Sequence, residues 1–490
     1  MGEDLYAILG LDSSADAEQI RLAYVQLARK YHPDVNVNRH DTEFFISIQS
    51  AYEVLSNPET RREYDAAHGQ GEKPTHPFKT RWVFSRSVLP QLSETQILYG
   101  KLTVSFVGGE EGYKTPPSHL CIVLDRSTSM KGERLDNVLR NLRQLIASLR
   151  NVDMISIVTF NDKAEVFIAP TNAAGHDVIA QKLNAVQASG GTEMYRGLKA
   201  GVDLLWQGHS KDHLLNLLLL TDGHTYGDED ACIELARKAV EKNIRINALG
   251  FGTDWNDTFL DTVTSITGGC TYFVRSPNDL PALFMQTLTS IKTTVAHNMN
   301  LEIDTRSSVP IKYCFRLDPE TVELPVSEVI QLGNLLKERA STYMIAFEVP
   351  QIANKQVELS IINGKIRFLM GEAKANSLVM DVSVSLPVQE SVEKGAVPME
   401  IVQALSKITL FQMQEKSRRD VQNGNVIDAV RRLNFMATNL IGQGNIQFAK
   451  EVLNEAENIK RDQTYSEDGN KRLKYGTRAL MLLPKPEKRI

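Results

Sequence analysis

The stretch Leu120-Cys121-Ile122-Val123-Leu124-Asp125-Arg126-Ser127-Thr128-Ser129-Met130 decides the fold. Its first five residues are an unbroken apolar run that stops at an aspartate and a serine-rich turn. A short apolar run without alternation is the pattern of a strand buried on both faces, as in a parallel sheet covered by helices. The same alternation of apolar strands and helical periods continues downstream. Helical spacing covers Leu135 to Leu149, Val178 to Val186, Tyr195 to Trp206, Asp230 to Lys242 and Asn256 to Ile266. Between these segments, Met154 to Phe160, Leu214 to Leu220 and Ile244 to Gly250 read as strands. Residues 119–290 are therefore expected to form a doubly wound α/β domain. A ligand site in such a sheet lies at the C-terminal ends of the strands.

Three polar segments fall where that rule points. Asp125, Ser127 and Ser129 follow the first strand, Gly190-Gly191-Thr192-Glu193 opens a later helix, and Thr221-Asp222-Gly223 ends the leucine-rich strand. Asp125, Ser127, Ser129, Thr192 and Asp222 together offer two carboxylates and three hydroxyls. An all-oxygen set suits one hard divalent ion, Mg²⁺ or Mn²⁺. With few carboxylates on it, the ion keeps net positive charge and an open position that a partner's carboxylate can fill. The constellation resembles the metal-ion-dependent adhesion site (MIDAS) of von Willebrand factor A (vWA) domains. The resemblance implies Ser127, Ser129 and Thr192 as direct ligands, with Asp125 and Asp222 binding directly or through water. The competing explanation for these residues is helix capping without a metal.

On either side of the α/β domain the period changes. Trp82, Phe84 and Val88, then Ile97, Tyr99, Leu102, Val104 and Phe106, mark strands within 78–118. Period-two alternation returns in 291–390, as in Val357, Leu359 and Ile361, and in Leu378, Met380, Val382 and Val384. This is the signature of an antiparallel β-sandwich. The strands of 78–118 are expected to belong to it, which makes the α/β domain an insertion. Residues 391–490 are helical, with a weak internal repeat at an offset of 20: Gly424-Asn425-Val426 against Gly444-Asn445-Ile446, and Leu433-Asn434 against Leu453-Asn454. Helical hairpins are expected there, as a cap on the sandwich or a docking surface.

Residues 1–67 are expected to form one domain, with 4–67 reading as helical, and 68–77, His-Gly-Gln-Gly-Glu-Lys-Pro-Thr-His-Pro, have linker composition. Asp16 and Gln19 form a capping box ahead of a helix whose apolar face is Ile20, Tyr24, Leu27 and Tyr31. Pro33 ends that helix, and a second carries Phe45, Ile48, Tyr52 and Leu55. Tyr31-His32-Pro33-Asp34 lies in the loop between them. Leu5 to Leu11, Ile20 to Asp34, Ala51 to Ser56 and Arg61 to Asp65 together resemble a J domain of DnaJ-type proteins. The class is the one lacking the Gly/Phe-rich and Cys-rich zinc regions, because neither follows here. The resemblance implies that His32, Pro33 and Asp34 stimulate ATP hydrolysis on a DnaK-type chaperone, and that Arg21, Arg29 and Lys30 dock on it. A basic helix face beside a rigid aspartate suits an acidic partner groove.

The rest of the composition narrows the function. Lys and Arg number 55 against 60 Asp and Glu, a net charge of −5 that argues against nucleic acid as the main partner. The four cysteines, Cys121, Cys232, Cys270 and Cys314, are too dispersed for a zinc ribbon or a disulfide framework, which fits a reducing cytoplasm. Neither the acidic start nor any apolar stretch reads as a secretory signal or a membrane span. His209 and His213 lack the glutamate of a zincin and read as surface histidines; Gly250-Phe251-Gly252 reads as a turn. No general base or nucleophile accompanies the metal-site residues, so the chain is not expected to be an enzyme. The sequence therefore points to a cytoplasmic co-chaperone whose vWA domain binds a client through an acidic residue. Its rivals are a vWA scaffold for complex assembly with a docking-only or vestigial J domain, and a metal-dependent hydrolase using Asp125 and Asp222.

Overall fold

The computed structural model of the protein describes residues 5–11, 15–31, 39–57, 60–61, 64, 76–108, 115–207, 213–223, 227–253, 255–352, 356–369, 377–392, 395–466 and 468–481. The chain divides into two compact units, Met1–Pro77 and Phe78–Ile490.

In the first unit the described helices are α1 (Leu5–Ile8), α2 (Ala17–Tyr31) and α3 (Arg39–Ser56). The capping box forms as the sequence requires. The Asp16 amide donates to Gln19 Oε1 and the Gln19 amide to Asp16 Oδ1, both at 2.8 Å. Helices α2 and α3 pack through Ile20, Ile48, Ala51 and Leu55, and Tyr24 stacks on Tyr52 with ring centroids 4.0 Å apart. Arg61 locks the far end, donating to Tyr6 Oη at 2.8 Å and to the Ala15 carbonyl at 2.6 Å.

The second unit holds a β-sandwich with the α/β domain inserted in it. The first sandwich strands are β1 (Phe78–Phe84), β2 (Leu89–Pro90) and β3 (Gln96–Phe106). Then come the α/β elements: β4 (Ser118–Asp125), α4 (Glu133–Ala147), β5 (Met154–Phe160), β6 (Ala164–Asn172), α5 (His176–Lys182), α6 (Met194–Gln207), β7 (Leu214–Thr221), α7 (Glu229–Glu241), β8 (Ile244–Phe251), α8 (Asp257–Ile266), β9 (Thr271–Val274) and α9 (Leu280–Thr293). Their sheet has the order β6-β5-β4-β7-β8-β9. All neighbours are parallel except the edge pair β5 and β6. Every residue of β4 and β7 is buried, because Ile122 and Leu218 face α4 and α9 while Val123 and Leu219 face α6 and α7. The helix expected over 178–186 is shorter and earlier, and finishes in a 3₁₀ turn at Leu183–Ala185.

The chain then returns to the sandwich through β10 (Thr294–Ile303), β11 (Ile311–Asp318), β12 (Val322–Leu324), β13 (Val329–Leu336), β14 (Ser341–Val349), β15 (Glu358–Leu369) and β16 (Ser377–Gln389). One sheet runs β1-β3-β14-β11-β12 and the other β13-β10-β15-β16-β2. Leu98, Leu102, Phe347, Ile361, Ile366 and Phe368 are among the residues filling the space between them. Strand β14 does not alternate, because helix α10 (Met399–Gln422) covers its other face. There Met344 and Phe315 meet Ile401, Ile408 and Phe411.

Helices α11 (Val426–Gly442), α12 (Ile446–Asp462) and α13 (Gly469–Met481) complete the tail. The repeated Gly-Asn ends one helix and starts the next. Gly424 and Gly444 sit at φ 78° and 79°, and the following asparagine amides reach back five residues to the Asp420 and Leu440 carbonyls. That is a left-handed helix stop in which a side chain would be strained. The tail also does more than cap the sandwich. Tyr475 of α13 packs against Trp255 and Phe273 of the α/β domain, and Arg478 grips Asp261 of α8 through two bonds of 2.8 and 2.7 Å.

Candidate metal centre and J-domain site

The five proposed metal-site residues lie at the C-terminal edge of the parallel sheet. Asp125 is the last residue of β4, Asp222 directly follows β7, and Thr192 precedes α6. Asp125 is fully buried. Its Oδ1 accepts the Ser127 amide at 2.8 Å and its Oδ2 accepts the Thr221 hydroxyl at 2.7 Å. The Ser127 and Ser129 hydroxyls are 3.0 Å apart, and Ser129 Oγ donates to Asp222 Oδ1 at 2.7 Å. Four of the five residues thus form a continuous hydrogen-bonded rim. Thr192 joins them by proximity: its Oγ1 would be 3.1 Å from a Cβ added to Gly223, the neighbour of Asp222.

The loop carrying Thr192 is fastened from both sides. The Gly190 carbonyl accepts the Thr128 amide at 3.0 Å and its hydroxyl at 2.9 Å. Asp162 Oδ1 accepts the Gly191 amide at 2.9 Å, and Asn161 Nδ2 donates to the Ser189 carbonyl at 2.7 Å. Gly190 is at φ 79°, where a side chain would be strained, and a Cβ there would also push on Asp162 Oδ2 at 2.4 Å.

Burial pushes the Asp125 carboxyl up to about 6; hydrogen bonds from Thr221 and Ser127 oppose the rise and the charge of Asp222 adds to it. A divalent ion would stabilise both carboxylates in the charged form. The donor chemistry, two carboxylates and three hydroxyls without sulfur or imidazole, fits Mg²⁺ or Mn²⁺.

Several contacts around these residues carry no signal in the sequence. Thr221 lies in a motif already singled out, yet its role as the partner of Asp125 depends on two adjacent strands. Asn161 and Asp162 follow β5 and hold a loop about 30 residues away in sequence. Arg134, in the first turn of α4, pairs with Asp222 Oδ2. Of the weaker candidates, His213 is half-buried instead of a surface residue, and its charge bears on His119, while His209 lies outside the described residues. Gly250 serves packing: a Cβ there would stand 2.2 Å from Cε2 of Trp255.

In the first unit, Arg21 is exposed on α2, and Arg29 and Lys30 occupy the last turns of that helix. His32, Pro33 and Asp34 lie outside the described residues.

The DnaJ domain family matches residues 4–65, and the von Willebrand factor type A domain family matches residues 119–286. The chain joins a DnaJ domain to a vWA domain. Residues 399–483 match a third family, the Sll0103-like C-terminal α-helical domain. The Synechocystis sp. protein sll0103 is 29% identical over 246 residues, covering 48% of this chain and 58% of its own length. The chaperone protein DnaJ of Thermosynechococcus vestitus is 55% identical over 65 residues, 13% of this chain and 17% of that protein. The chain thus spans less than two thirds of either relative. Among solved structures, a von Willebrand factor type A protein from Catenulispora acidiphila superposes with a TM-score of 0.66 at 14% identity, covering 84% of this chain and 97% of that one. The ArnB paralog VWA2 from Sulfolobus acidocaldarius gives 0.52 at 13% identity over 84% of this chain and all of the other. At these identities the likeness is one of fold. It extends well beyond the vWA domain, since that domain alone is about a third of the chain. Among the described residues no helix is long and apolar enough to cross a membrane.

Proposed function

We propose that this protein is a cytoplasmic DnaJ-like co-chaperone whose vWA domain selects the client. The J domain recruits a DnaK-type chaperone and stimulates its ATPase through His32, Pro33 and Asp34, with Arg21, Arg29 and Lys30 as the docking face. The vWA domain holds one Mg²⁺ or Mn²⁺ through Ser127, Ser129 and Thr192, with Asp125 and Asp222 direct or through water. The ion supplies an electrophilic position for an acidic residue of the client. ATP hydrolysis takes place on the chaperone, and this chain is no enzyme itself.

The observation that carries the client-binding half is the hydrogen-bonded rim of Asp125, Ser127, Ser129 and Asp222 at the strand ends. The chaperone half rests on the DnaJ-domain match together with the tripeptide His32-Pro33-Asp34 in the sequence. Two variants test the halves separately. Asp34→Asn is expected to abolish stimulation of DnaK ATP turnover while leaving the fold intact. Unchanged stimulation would leave the scaffold reading, with a docking-only J domain, in its place. Asp125→Ala is expected to abolish the calorimetric signal of Mg²⁺ or Mn²⁺ binding. Equal heats from wild type and variant would remove the metal site.

A further inference from the structure

Arg134 occupies a place that the metal-site reading leaves unexplained. It is the second residue of α4, and its guanidinium pairs with Asp222 Oδ2, while Oδ1 of the same carboxylate accepts Ser129 Oγ. The Asp222 side chain has no exposed surface and Arg134 retains 39%, so the arginine forms the lid of a buried carboxylate and itself faces solvent. The turn after β8 comes close to the guanidinium. Gly252, at φ 69° just past β8, faces it closely enough that an added Cβ would be 3.2 Å from Nη2. Three separate segments, the start of α4, the end of β7 and the turn after β8, thus converge to put a fixed cation on one of the two carboxylates meant for a divalent ion.

A guanidinium and a divalent ion on one buried carboxylate repel each other, and the solvent that reaches Arg134 moderates the repulsion. From this geometry we infer that Arg134 is the resident counter-ion of Asp222, and that it competes with the divalent ion for this carboxylate. The inference rests on the metal reading above and adds its regulation. Without the ion, Arg134 keeps a buried carboxylate paired and the loops assembled. An ion held by Asp222 would displace the guanidinium from that carboxylate, and the solvent-facing arginine would remain next to the site. An acidic client residue then meets two cations, the ion and Arg134. The arginine thereby weakens binding of the bare ion and favours binding of ion and client carboxylate together.

The test is Mg²⁺ titration calorimetry on the full chain, paired with thermal unfolding in chelator and in saturating Mg²⁺. Three proteins are compared: wild type, Arg134→Gln, and Lys131→Ala as a neighbouring exposed charge. Arg134→Gln is expected to bind Mg²⁺ about fivefold more tightly, the upper order of one partly exposed ion pair. Lys131→Ala is expected to stay within about twofold of wild type, because an exposed charge is screened. In chelator Arg134→Gln should melt below wild type, and saturating Mg²⁺ should close that gap. Unchanged or weaker Mg²⁺ binding by Arg134→Gln overturns the competition, as does equal tightening by Lys131→Ala. Heat from Arg134→Gln alone supports it. Absence of heat from both Arg134→Gln and wild type removes the metal reading itself, and the competition with it.

Discussion

Replacing Glu320 by alanine should loosen the joint between the vWA domain and the sandwich more than any surface-charge change. Glu320 Oε2 is 3.0 Å from Arg245 Nη2 of the vWA strand β8 and 3.4 Å from Arg316 Nη2 of the sandwich strand β11. Its Oε1 accepts Tyr272 Oη at 3.2 Å. The three charged side chains are 8%, 4% and 1% exposed, so the variant strands two guanidiniums away from water. Arg316 keeps carbonyl acceptors at Gly268 and Leu332, 2.8 and 3.0 Å away, so Arg245 carries most of the penalty. Breaking one partner out of a buried ion pair costs about 3–5 kcal/mol. The unit Phe78–Ile490 has about 410 residues; if it unfolds cooperatively, roughly 2.1 cal/mol/K per residue gives a fall in Tm of about 3–6 °C. Scanning calorimetry would read it, with Glu302→Ala as the comparison. Glu302 pairs with Arg367 at 2.8 Å, but both are about one-third exposed, and such a pair contributes under about 1 kcal/mol. The pH dependence adds a sign. Burial alone would raise the Glu320 pKa, but Arg245 and Arg316 outweigh it and hold it below the ordinary value. The stabilisation is present above the unfolded glutamate pKa and disappears as pH falls through the folded one. The difference between wild type and Glu320→Ala should narrow in acid. If Glu320→Ala shifts Tm no more than Glu302→Ala, the assignment of this triad as the joint is wrong.

Two further outcomes follow from the same packing. His119 is fully buried, with Nε2 3.0 Å from Ser156 Oγ, and burial first, then the charge of His213, lowers its pKa to about 4. Below the unfolded value of 6.5 the unfolded chain gains a proton the folded chain refuses, so stability should decline from about pH 6.5 to 4 by roughly 3 kcal/mol. Urea midpoints for wild type and His119→Gln across that range check this, and parallel slopes would refute it. Tyr475→Ala removes the ring between Trp255 and Phe273 and should cost roughly 3 kcal/mol locally. Hydrogen exchange of α13 should accelerate selectively; unaltered protection of 469–481 would mean that the ion pairs of Arg478 and Lys474 with Asp261, both 2.7 Å, hold that helix without the ring.

Legibility followed the strength of each local signal. The run ending in Asp125 was unmistakable because a strand buried on both faces must be apolar throughout. The edge strand β6 was not, because Val166 is exposed and its burial pattern lacks clean alternation. Strand β14 conceals its sandwich role for the opposite reason, since helix α10 buries its outer face as well. Asp125, Ser127, Ser129, Thr192 and Asp222 were readable as a set because the strand-end rule says where loops of a parallel sheet meet. Arg134 and Asn161 carry no such mark. Their roles depend on which loop lies opposite, at separations of 88 and 28 residues.

The sequence by itself determined the modules, their order and the donor chemistry, because burial period, helix stops and oxygen-rich turns are local properties of the chain. Tertiary structure alone decided how those donors are held and joined. It set Thr221 against Asp125, Arg134 over Asp222, Glu320 between two arginines and α13 against α8. In each case the physical reason is the same: a buried charge needs a partner, and the partner comes from whichever distant segment the fold brings within reach.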